Sequence, residues 1–147
     1  MPKFLNAYTT LEILIVIGVM ILITGMVIPV SMRQTKLNEL SIAGKDLHSN
    51  MFLQQQNAFA GKNNIEHGVY IQNDGYWVFE GEDFENSSKK DFFSFGKGIV
   101  STSGIKEIIF EQNSQKPNSP QTIILNYSGY NYSVVINHEG IIDSYVQ

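Results

Sequence analysis

Chemistry is most readable where carboxylates, imidazoles or thiols recur at ligand or proton-transfer spacing. This 147-residue chain has no cysteine, so it forms no disulfide and carries no thiolate nucleophile. Its histidines, His48, His67 and His138, lie far apart and in no metal-type spacing. His138 and Glu139 open no H-E-x-x-H pattern, there is no G-x-S-x-G elbow, and Gly96-Lys97-Gly98 lacks the flanking residues of a phosphate loop. Carboxylates gather at Glu80, Glu82, Asp83 and Glu85. Hard oxygen ligands at such spacing suit calcium, but the D-x-[DN]-x-[DN]-G order is missing, and a solvated charge run is the better reading. The residues therefore predict neither an enzyme nor a cofactor or metal. One carboxylate stands apart: Glu12 sits at the front of a long apolar run, where burying a charge is expensive and marks function.

That run extends over 7–29, and between Ile13 and Ile28 only Thr24 is clearly polar. As a helix, 11–30 spans roughly 30 Å, the thickness of a bilayer's hydrocarbon core, so the pattern predicts a membrane-spanning helix. Gly18 and Gly25 are seven apart and share a helix face, where small residues let helices pack closely. Gly25 and Pro29 are the points at which the helix can kink or unwind. A secretory signal peptide would have a shorter apolar region ending in a small-x-small site, of which Gly25 offers a poor version. A plain single-span anchor would leave Glu12 and Pro29 unexplained. Lys3 on one side and Arg33, Lys36 and Lys45 on the other do not settle orientation by charge.

The N-terminus resembles that of the type IV pilins and the pseudopilins of type II secretion. In that family a short leader ends in Gly or Ala, and a cut is followed by an aromatic residue, a glutamate at the fifth mature position and an apolar helix. Here Met1 to Ala7 would be the leader and Tyr8 the first mature residue, which makes Glu12 the fifth and Pro29 the twenty-second, where the family often has proline. Ala7 stands in place of the commoner Gly, Tyr8 in place of Phe, and Thr10-Leu11 in place of Leu followed by Ile or Val. The resemblance implies that a prepilin peptidase cuts between Ala7 and Tyr8 and methylates the new amine of Tyr8. It also implies that Glu12 meets the N-terminal ammonium of a neighbouring subunit in a filament. Opposite charges that are each expensive alone in a helix bundle offset one another when paired. Placement follows the family too: a single-pass protein of the cytoplasmic (inner) membrane, N-terminus inside and C-terminal domain outside, which then enters an extracytoplasmic filament.

Beyond Pro29, positions 37, 40, 44, 47, 51, 54 and 58 recur at steps of three and four, one face of an amphipathic helix. Gly61 followed by Lys62-Asn63-Asn64 reads as its stop. The period then switches to strands at 68–72 and 76–80, with a two-residue turn at Asp74-Gly75 that sets Ile71 opposite Val78 and Tyr70 opposite Phe79. Residues 81–90 read as a polar loop and Phe92, Phe93 and Phe95 as an aromatic patch. Residues 105–111 form a further strand, and 122–127, 130–137 and 141–146 a meander turning at Ser128-Gly129 and Glu139-Gly140. The predicted fold is α+β and pilin-like: a long transmembrane and amphipathic helix packed on an antiparallel sheet of about six strands. Its parts are a leader (1–7), a transmembrane half-helix (8–30), an amphipathic half-helix (31–62) and a sheet domain (63–147). The second half is similar to the H-type minor pseudopilins and related minor pilins.

The formal net charge is −4, and loss of Lys3 with the leader would make it −5. Arg33 is the only arginine and no Lys or Arg follows Lys116, so direct nucleic-acid binding through phosphates is not expected. The function implied is a minor pilin or pseudopilin, a structural subunit of a type II secretion or type IV pilus-like filament. Prepilin peptidase, other pilins, an assembly platform membrane protein and the membrane itself are the implied partners. The alternatives are a major pilus subunit and a non-polymerising, single-span anchored binding protein.

Overall fold

The computed structural model describes residues 9–147, with side chains at every one of these positions outside 26–32. A 50-residue helix, α1 (Thr10–Phe59), is followed by a 3-10 helix at Lys62–Asn64 and eight strands. The chain divides between Thr35 and Lys36 into two compact units.

The described part of the first unit is the start of α1. Thr9 caps it: the Thr9 carbonyl accepts from the Glu12 and Ile13 amides at 3.0 and 3.2 Å, and the Thr9 hydroxyl accepts from the Glu12 amide at 3.3 Å. A Thr with Glu three positions on is the capping-box order, and the Glu12 charge also suits the positive end of the helix. α1 runs through Gly25 and Pro29 without interruption. Every described side chain from 9 to 25 is exposed.

The expected membrane span is corrected here. Among the described residues no helix is long and apolar enough to cross a membrane. This overturns the transmembrane half of the predicted fold class and the single-pass inner-membrane placement.

The second unit is α+β. The amphipathic stripe of α1 is buried as its spacing predicts, with Leu40, Leu47, Met51 and Ala58 fully inside. The helix stops because Gly61 turns left-handed (φ 64°), and the Asn113 amide closes the free end by donating to the Ala58 carbonyl at 2.8 Å. The strands are β1 (His67–Ile71), β2 (Gly75–Glu80), β3 (Lys89–Ser94), β4 (Val100–Ser101), β5 (Lys106–Phe110), β6 (Gln121–Tyr127), β7 (Tyr130–Ile136) and β8 (Ile142–Val146). They form two antiparallel four-stranded sheets, ordered β3-β2-β1-β5 and β4-β6-β7-β8, not one sheet of six. Val69, Ile71, Ile108 and Phe110 from the first sheet and Ile123, Leu125 and Val134 from the second share one core with the α1 stripe. At Gly44 α1 lies close against the second sheet, since a Cβ there would collide with the Tyr132 ring.

Two strands lie where the sequence reading places none. β3 occupies the predicted aromatic patch, and β4 is a two-residue edge. The first hairpin turns at Asn73-Asp74 instead of Asp74-Gly75, so Ile71 faces Tyr76 and Tyr70 faces Trp77. Gly75 is instead the first residue of β2, and a side chain there would collide with the Phe93 carbonyl and the Phe92 ring. The shift is two residues, which leaves each side chain on its predicted face of the sheet.

Candidate functional site

Three places concentrate the residues of interest. The first is the start of α1. Leu11, Ile13, Leu14, Ile15 and their successors leave about half or more of each side chain exposed, from 48% at Ile17 to 68% at Leu11. Glu12 is exposed among them. Gly18 and Gly25 are open as well, with nothing within 4 Å of an added Cβ. Thr24 turns its hydroxyl inward and donates to the Met20 carbonyl at 2.7 Å. The predicted cut between Ala7 and Tyr8, and the methylation of Tyr8, lie outside the described residues, as does the Pro29 side chain.

The second place is the acidic loop after β2. Its carboxylates do not converge, and no group of three or more metal-type ligands occurs among the described residues. Glu80 binds the Lys89 ammonium at 2.6 Å and accepts from Asn63 at 2.9 Å, and the Lys89 hydrogen bond holds its carboxyl below the ordinary range. Asp83 accepts from the Asn86 amide and side chain, which lowers its carboxyl too. The loop is fixed by an aromatic side chain between the acids. Phe84 stacks on Tyr70 with ring centres 4.0 Å apart and meets Trp77 and Phe79, and its amide donates to Glu107 at 2.7 Å. Such ring contacts add to the area they bury. The loop is thus a lid over the outer face of the first sheet.

The third place is a trough along α1 in the second unit. Its larger part, about 920 Å³, lies among Glu39, Ile42, Asp46, Phe93, Lys97 and Tyr127. A smaller groove of about 210 Å³ continues past Leu53, Asn57 and Asp91. The two share Asn50 and Phe93. Asn50 donates to the Tyr76 hydroxyl at 2.8 Å. Burial pushes that hydroxyl up to about 12, with the Asn50 hydrogen bond opposing and the Asp46 charge assisting. Tyr127 is raised chiefly by the Glu39 carboxylate beside it. The trough is therefore an aromatic surface edged by carboxylates, with no nucleophile–base pair in it.

The histidines are structural where their contacts are seen. His67 is fully buried, with Nδ1 3.2 Å from the Gln54 side-chain oxygen and Nε2 3.1 Å from the Lys62 carbonyl. His48 meets the Ser144 hydroxyl at 3.1 Å. Gln55, also buried, donates to the Gln115 and Gly140 carbonyls and ties two loops to α1. The sequence reading places Gln54 on the buried stripe, yet it misses the polar roles of Gln54 and Gln55 there. The nearest signal was glutamine at an apolar position of the repeat.

No protein-family model, no curated protein and no solved structure matches this chain.

Proposed function

We propose that this chain is a structural subunit of a helical filament of the type IV pilus and type II secretion class, a minor pilin or pseudopilin and not an enzyme. The observation that carries the reading is the start of α1, apolar on every side and exposed on every side from 10 to 25. A helix apolar all round is built to be buried. Parallel copies of the same helix, bundled together, bury it, and Gly18 and Gly25 leave room for close approach. Glu12 then needs a cation in the bundle, because an unpaired charge there costs several kcal/mol. The resemblance supplies one in the Tyr8 amine of a neighbouring subunit, freed by a prepilin peptidase that cuts after Ala7. Other pilins and an assembly platform protein complete the set of partners under this reading.

The test is the intact mass of the protein purified from cells with and without a prepilin peptidase. The reading expects loss of residues 1–7 and gain of one methyl group only where the peptidase is present. An uncut chain in both cells contradicts it. Glu12→Ala should leave the cut unchanged and remove the chain from co-purified filaments.

A further inference from the structure

β3 ends its sheet, and its outer edge has no neighbouring strand. The ladder fixes which main-chain groups point outward. The Gln72 amide donates to the Gly75 carbonyl at 2.8 Å and the Gly81 amide to the Glu66 carbonyl at 2.9 Å, so residues 75, 77, 79 and 81 of β2 turn toward β1. Residues 76, 78 and 80 then turn toward β3, where they face Phe93, Asp91 and Lys89, and the Phe95 amide continues the series at Asp74. By the alternation of an antiparallel ladder, the amides and carbonyls of Lys90, Phe92 and Ser94 point away from the sheet.

Exposed edges are normally guarded, most often by lysine. This one has two lysines, and both are drawn back. Lys89 is held by Glu80 at 2.6 Å; Lys90 donates to the Glu85 carbonyl at 3.0 Å and lies over the Phe84 ring. The edge itself carries Phe92 and Phe93, 43% and 38% exposed. Below it runs the trough along α1, with half-exposed Leu53 on its floor. Glu39 and Asp46 line the larger part against Lys97; Asp91 lines the smaller part with Lys62 and with Lys89, whose charge is taken up by Glu80.

We infer that the outer edge of β3, with the trough beneath it, binds an extended segment of another polypeptide as a fifth strand of the first sheet, a segment with alternate apolar side chains and at least one Lys or Arg. The main chain of the segment would satisfy the outward groups of Lys90, Phe92 and Ser94. Its side chains on the helix-facing side would cover Leu53, and its cation would face Asp91 or Asp46. The inference concerns the second unit alone and stands or falls independently of the filament reading.

The experiment uses the full chain, kept monomeric in mild detergent, and a nine-residue synthetic peptide with valine at alternate positions, the second of these replaced by lysine, and threonine between them, so that one face carries both the apolar side chains and the cation. Amide exchange is followed by NMR. The peptide should slow exchange at Lys90, Phe92 and Ser94 by about tenfold or more and leave the inward amides of Asp91 and Phe93 as they were. A copy of the peptide with proline at its centre should not. Ser94→Pro removes an outward donor without touching the ladder to β2, and should abolish the protection. Leu53→Lys changes only an exposed side chain, and should weaken the effect by placing a like charge in the trough. Unchanged exchange at the three amides overturns the inference. Protection that rises with protein concentration in the absence of peptide also overturns it, since the occupant would then be a second copy of this chain.

Discussion

α1 is one helix with two opposite kinds of surface. From Lys36 to Phe59 it sorts its side chains, with Leu40, Leu47, Met51 and Ala58 inside and Lys45, Asp46 and Ser49 outside. From Thr10 to Gly25 it sorts nothing, and apolar side chains face every direction. The first pattern is complete within the chain, because two sheets cover the stripe. Among the described residues nothing covers the second, and an isolated helix gains little stability from propensity alone. The difference separates a self-contained α+β unit from a surface that the proposed filament would bury against other helices.

That contrast can be broken at graded strength. The largest effect is expected from Leu47→Ala, which removes a fully buried side chain and should cost the second unit about 3 kcal/mol in denaturant unfolding. Leu14→Ala, at a site 62% exposed, should change that unfolding by nearly nothing. Next come the glycines. Gly44→Ala pushes a methyl group into the Tyr132 ring and should lose about 1–2 kcal/mol even after the helix-propensity gain. Gly18→Ala meets nothing and should leave folding unharmed; any loss should appear only in assembly. The smallest effect concerns Glu80. Its carboxyl is lowered in the folded state from the ordinary 4.5, so it contributes stability above that value and loses it as pH falls through the lowered one. Its partner Lys89 is largely exposed, so Glu80→Gln should destabilise by less than about 1 kcal/mol at neutral pH, with the gap closing in acid.

Much of the second unit was legible because its signals are local. The three-and-four spacing on α1, Gly61 at its end, and the meander turn at Ser128-Gly129 each have a physical reason that a few residues express; the second meander turn lies one residue earlier than predicted, at His138-Glu139. The misses are places where distant residues decide. β3 reads as a patch because its outer side carries no alternation of its own; pairing with β2 makes it a strand. Asp74-Gly75 carries a strong hairpin signal, but Gly75 is needed where β3 crosses close to β2, and the turn moves back one residue. The 80–85 loop looks like a run of acids until Phe84 is seen packed on Tyr70. At the other end, the apolar run predicts a membrane span from its length in sequence, whereas among the described residues no helix is long and apolar enough to cross a membrane. The trough was not legible at all, since its two walls are dozens of residues apart.

The central claim is that the first half of α1 is a surface for copies of similar helices. Because the chain has no cysteine, it can be tested with an introduced pair, Ile15→Cys and Ile17→Cys, which lie about 200° apart around the helix. Protein oxidised in the cells that assemble it should run as a ladder of disulfide-linked species beyond the dimer, and adding Glu12→Ala should collapse the ladder. Monomer alone from the doubly substituted chain, with Glu12 intact, would contradict the account.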